Sequence, residues 1–217
     1  MRELACAHRT KARTIYQSAD VRLRHAPSAR RFRVAVIGHL RPEKDPFRAV
    51  QALAHLHQRR DIEIAHLGAA LTPDMRRSAQ RWMKREPRYR WLGSRPHAET
   101  MHWLAGSNVL VVSSVMEGGA NVICEAARIG VPVLASRVSG NIGMLGRDYP
   151  GYYTLRDDRA LARLLERAAT DPKYFRALKN AVSRRRPLFA PSVEGSAVRR
   201  LARKLEPRAE RFRHRSD

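Results

Sequence analysis

The chain has 217 residues, 43% of them hydrophobic, and a formal net charge of +23. That is enough apolar material for one good-sized domain and too much for a disordered chain, and no run approaches the roughly 20 apolar residues that span a bilayer. The charge points first to nucleic acid, but the arginines are scattered, with no zinc-finger spacing and no aromatic motif of an RNA-reading sheet, so they read as the codon bias of a GC-rich genome with only sequence-independent attraction to polyanions.

The N-terminal stretch "MRELACAHRTKARTIYQ" carries charges where an export signal needs an apolar core. Cys6 and Cys124 have neither metal-type nor disulfide-type spacing. Both observations fit a cytoplasmic protein. Residues 1–31 fall outside the alternation that follows and read as a linker with a piece of something before it.

From residue 32 onward, short apolar runs alternate with amphipathic ones. "FRVAVIGHL" (32–40) is a buried strand ending at a glycine. A helix over 45–58 follows, with Asp45 as N-cap, Pro46 in the first turn and Phe47, Val50, Leu53, Ala54 and His57 on one face. "IEIAHLG" (62–68) is a strand. "TPDMRRSAQRWMKR" (72–85) is a helix begun by Thr72 and Pro73. Then come a strand at 89–93, a helix at 95–107 ending near Gly106, strands at 108–114 and 131–136, and a last one at 151–155. "SRVSGNIGML" reads as a loop. Three helical stretches close the chain, within 157–169, 172–184 and 192–206, and a basic tail ends it.

This alternation predicts an α/β fold, a doubly wound, Rossmann-like parallel sheet occupying 32–190, with 191–217 as a C-terminal helix and tail. In such sheets ligands bind beyond the carboxyl ends of the strands. Two loops there carry chemistry. "EGGAN" places Gly118 and Gly119 before a helix whose free N–H groups and dipole favour an anion such as phosphate. Glu125, about one turn into that helix, suits a pair of hydroxyls, and Glu117 stands ready at the other end. Taken alone, the pattern equally describes a structural turn with two solvated acids. "GHLRPEKDP" adds Gly38, His39, Arg41 and Lys44, cations for a diphosphate. Together the loops describe a site for a nucleotide-diphospho-sugar. Met116, Cys124, Trp82, Trp91 and Trp103 read as packing residues.

With these residues in view, the chain resembles the donor-binding, C-terminal half of two-domain (GT-B) glycosyltransferases of the family-4 type, over roughly residues 30–190. The two glutamates separated by seven residues match Glu117 and Glu125. The glycine-plus-basic loop matches Gly38 to Lys44. The resemblance implies that Glu117 contacts the donor sugar and Glu125 the ribose. It further implies that Gly118, Gly119, Ala120 and Asn121 line the sugar and diphosphate, and that Lys44 holds the phosphates, with Lys44 and Glu117 nearest the chemistry. It implies a UDP-sugar as donor substrate, with no cofactor and no metal. His39 stands where the family has arginine.

"KARTIYQSA", "GHLRPEKDPFR", "MEGGANVICEA" and "SGNIGMLGRDYPGYY" together resemble the bacterial selenosugar synthases of selenoneine biosynthesis, which implies selenophosphate as acceptor. "RTIYQSA" resembles the final strand of a missing N-terminal half, so a separate or lost N-terminal domain and weak activity of this chain alone are expected. Two other readings stay open: an ordinary family-4 enzyme with a sugar or lipid-linked acceptor, and a non-catalytic basic domain that binds nucleic acid or protein.

Overall fold

The apolar runs become six strands: β1 (Phe32–Ile37), β2 (Ile62–Leu67), β3 (Tyr89–Gly93), β4 (Val109–Val112), β5 (Val133–Ser136) and β6 (Tyr152–Tyr153). The computed structural model describes residues 12–27 and 30–205; the start of the chain with Cys6, and the basic tail, lie outside them. All strand pairs are parallel, and their order is β3-β2-β1-β4-β5-β6. Both β4 and β5 are buried at every position, as strands covered by helices on both faces must be. The chain winds outward from β1 to β3, returns to lay β4 beside β1, and winds outward again. This reversal leaves a crevice beyond the carboxyl ends of β1 and β4.

The helices are α1 (Arg48–Leu53), α2 (Pro73–Arg85), α3 (His97–Ala105), α4 (Asn121–Ile129), α5 (Ser139–Leu145), α6 (Asp158–Thr170), α7 (Pro172–Arg185) and α8 (Pro191–Leu205). Several start where the sequence says they should. Thr72 Oγ1 accepts from the Met75 amide at 3.2 Å, and Asp157 accepts from the Ala160 amide at 2.7 Å. Gly106 ends α3, and Gly130, at φ +96°, ends α4 in the left-handed conformation that glycine adopts freely.

Four expectations need correction. The helix expected over 45–58 is shorter and starts later. Asp45 is no N-cap: it closes the 3-10 turn Pro42–Lys44 in the left-handed region at φ 43°, and its carboxylate takes Arg48 Nε at 2.8 Å. Ala54 and His57 are exposed, and Leu56 is the buried residue instead. Second, 139–145 is helix α5 and not loop. Third, 13–19 forms no strand. Two of its N–H groups bond to the C-terminal part of the chain: Ser18 to Glu194 at 2.8 Å and Ala19 to the Phe189 carbonyl at 3.1 Å. Tyr16 packs edge-on against Phe189, and Ala19 and Val21 join the core, so part of the stretch read as linker is built into this domain. Fourth, Met116 is 72% exposed and is no core residue, whereas Cys124 is fully buried.

Candidate functional site

The crevice between β1 and β4 is walled by two loops that hold each other. Ser113, just past β4, donates its hydroxyl to the carbonyls of Lys44 and Asp45 at 2.9 and 2.8 Å. The Val115 amide donates to the Glu43 carbonyl at 2.8 Å. Across this seam the Lys44 ammonium pairs with Glu117 Oε1, which also accepts from Ser114 Oγ at 2.7 Å. The Glu117 side chain is 9% exposed and that of Lys44 25%, so the seam holds a partly buried ion pair with a hydroxyl to help satisfy the carboxylate. Beside it lies an open cleft lined by Gly38, His39, Lys44, His66, Ser114, Glu117 and Val122 among others.

A third loop supports the first. Gly68 lies so near the β1 loop that a Cβ there would stand 2.0 Å from the Gly38 carbonyl oxygen. The ladder runs on past both strands: the Leu40 amide donates to the Ala69 carbonyl at 2.8 Å. His39 Nδ1 accepts the Ala69 N–H at 3.1 Å, so the neutral ring carries its proton on Nε2. Beneath sits His66, 1% exposed. Its Nε2 faces the Gly38 carbonyl at 3.3 Å and its Nδ1 the Tyr89 hydroxyl at 3.0 Å. A carbonyl only accepts, so Nε2–H donates to Gly38 and Nδ1 receives the Tyr89 proton. Burial, only partly offset by the bond to Gly38, lowers the His66 pKa to about 4 and keeps it neutral.

The expected ligands therefore fall into two groups. Gly38, His39, Lys44 and Glu117 line one cleft, and Lys44 and Glu117 touch. Glu125 does not line it. That carboxylate is buried on the first turns of α4, 3.3 Å from Asn121 Nδ2 and 3.8 Å from His97 Nε2, the first residue of α3. Burial raises its pKa, and His97 pulls the other way. Gly118 and Gly119 are exposed, with backbone that any residue could adopt and open space above Gly118. Ala120 is the N-cap of α4 and offers no side-chain cap, so the first N–H groups of that helix are not claimed by a capping side chain. Arg41 is exposed at the rim, and its carbonyl accepts the Lys44 amide at 3.0 Å.

Sequence reasoning passed over Ser114, His66 and His97. A "SS" after an apolar run and single histidines in a strand or at a helix start carry no spacing signal; only the paired strands bring them to the site. Among the described residues, no group of three or more His, Cys, Asp or Glu side chains is placed to hold a metal ion, and no helix is long and apolar enough to cross a membrane.

Comparison with known proteins places the fold. A D-inositol 3-phosphate glycosyltransferase of Corynebacterium glutamicum (strain R) is 32% identical over 114 residues, 49% of this chain and 27% of that relative. The crystal structure of Anabaena Alr3699/HepE in complex with UDP and glucose superposes with a TM-score of 0.70 at 22% identity, over 80% of this chain and 49% of that one. Sucrose-phosphate synthase from Thermosynechococcus elongatus gives 0.71 at 25% identity, over 83% and 46%. The chain thus spans about half the length of these solved structures and about a quarter of that curated relative. Residues 20–185 match the family described as "Glycosyl transferases group 1". With its six-stranded parallel sheet, this chain belongs to the group 1 glycosyl transferases and has the Rossmann-like fold of a GT-B half.

Proposed function

We propose that this chain is the donor-binding half of a glycosyltransferase and holds a UDP-sugar across the crevice between β1 and β4. One observation carries the reading: the loops after β1 and β4 are bonded into one rim, at which a partly buried Lys44–Glu117 pair stands beside the α4 N-terminus. A diphosphate entering there gains the lysine charge and the free N–H groups of the helix start. Lys44 exchanges one anionic partner for another, which leaves Glu117 and Ser114 to take hydroxyls of the sugar. His39 offers Nε2–H as a donor. Glu125 accepts from the ribose hydroxyls, which compensates the cost of burying its charge. As the glycosidic bond breaks, negative charge builds on the UDP oxygen, where the same lysine and helix dipole stabilise it. No metal is required in this scheme.

The finer reading, transfer to selenophosphate, is supported by the four quoted motifs alone. The curated relative's name favours a second one, a phosphorylated polyol acceptor. Both need a further domain to complete the cleft, so a reconstructed longer enzyme given selenophosphate or inositol phosphate separates them by product mass.

The donor site is tested on this chain by calorimetric titration with UDP and UDP-glucose. Wild type binds; Lys44→Ala and Glu125→Ala each bind at least about tenfold more weakly, the scale of a lost charge-assisted hydrogen bond. Glu125→Gln weakens binding yet raises Tm, because it removes a buried charge. Equal binding by all the variants would refute the assignment.

A further inference from the structure

The segment "SGNIGML", helix α5, is not claimed by the reading above, yet it lies against the site. Gly140 in its first turn packs on the backbone of Glu117. A Cβ at Gly140 would stand 2.0 Å from the Glu117 carbonyl oxygen, 2.6 Å from its carbon and 2.8 Å from its Cβ. The two nearest are backbone atoms and the third is the Cβ fixed to that backbone, not the free end of a flexible side chain, so an added methyl forces one partner back by about 1 Å.

Which partner yields is decided by how each is held. α5 is pinned from several directions. Asn141 Nδ2 donates to the Ser136 carbonyl and Oγ at 2.9 and 3.1 Å. The Tyr152 hydroxyl reaches the carbonyls of Asn141 at 3.2 Å and Gly146 at 2.8 Å. Arg185 reaches those of Met144 at 2.7 Å and Gly143 at 3.0 Å. The turn carrying Glu117 is held by the Val115 amide and the Glu117 carboxylate, but its middle faces open space: Met116 is 72% exposed, and nothing lies within 4 Å of a Cβ built on Gly118. The turn therefore moves and α5 does not. With it goes the Glu117 carboxylate, whose bonds to Ser114 and Lys44 tolerate no such shift.

We infer that Gly140 is a positioning residue: by letting α5 touch the Glu117 backbone, it sets where that carboxylate stands and so governs recognition of the sugar part of the donor. The last clause rests on the proposed function; the first does not.

The experiment compares Gly140→Ala with Gly143→Ala, one turn further along α5, where a Cβ meets nothing within 4 Å. Crystal structures of both should show the turn shifted and the Ser114–Glu117 bond broken in Gly140→Ala only. A turn left in place in Gly140→Ala overturns the inference. In titrations, Gly140→Ala should lose about tenfold in affinity for UDP-glucose while UDP changes little, and Gly143→Ala should match wild type. Equal losses for both ligands mark a merely structural glycine and also overturn it. If wild type binds neither ligand, the proposed function and the sugar clause fall together, and the crystal structures still decide the positioning. Should Gly140→Ala not fold, Asn141→Ala frees α5 from Ser136 without adding an atom and is read the same way.

Discussion

His66 shows how one buried side chain ties stability to the site. Its folded pKa of about 4 lies below the ordinary 6.5, so the unfolded chain takes up a proton that the native state refuses. Its contribution is fully present above pH 6.5 and is lost as pH falls from there towards 4. At 1.36 kcal/mol per unit, about 3 kcal/mol disappears across that window. Urea unfolding at pH 7 and pH 4.5 should show wild type losing about 2 kcal/mol more than His66→Gln, which does not titrate. Parallel losses would mean that His66 protonates without leaving its pocket. At this scale the sequence was partly legible. Lys44 and Glu117 sit in loops whose glycines and charges announce a site, and the two do meet. Gly140 was hidden, because its reason is a backbone 23 positions away in sequence that only the fold brings into contact.

At the scale of elements, capping chemistry set some of the boundaries. Thr72–Pro73 begins α2 as expected, and Asp157 begins α6. Asp157→Ala should cost about 1 kcal/mol and lower Tm by a few degrees, and Asp157→Asn should restore most of it, since the amide oxygen can still accept from Ala160. Local reasoning failed where tertiary contacts outbid it. Asp45 carries the same N-cap signal before a proline, but Ser113 draws its carbonyl and Arg48 its carboxylate, so the chain turns tightly first and the helix starts at Arg48. In α5, two glycines argue against helix by about 1 kcal/mol each. Tyr152, Asn141 and Arg185 supply the bonds that override that preference.

For the whole molecule, the doubly wound parallel sheet was legible from alternation, because parallel strands buried on both faces read as continuous apolar runs, whereas the strand order came only with the fold. The charge was not. The 43 basic side chains outnumber the 20 acidic ones about two to one, and among the described residues Arg33, Arg48, Arg59 and Arg88 each meet an acid. Binding to heparin or mixed-sequence DNA should fall steeply between about 50 and 200 mM salt and show no sequence preference. Competition of such binding by UDP at constant ionic strength would show that the polyanion occupies the crevice.

The pairing of β1 with β4 joins residues 75 positions apart, and Lys44 and Glu117 are separated by 73. Closing so long a loop is slow, and neither local hairpins nor single helices can substitute for it. The two lips of the crevice thus come together only in a non-local step of folding. A nucleotide spanning them cannot guide the search that creates it. It can only act as a latch on the finished molecule, slowing escape from the native state while leaving the rate of arrival unchanged.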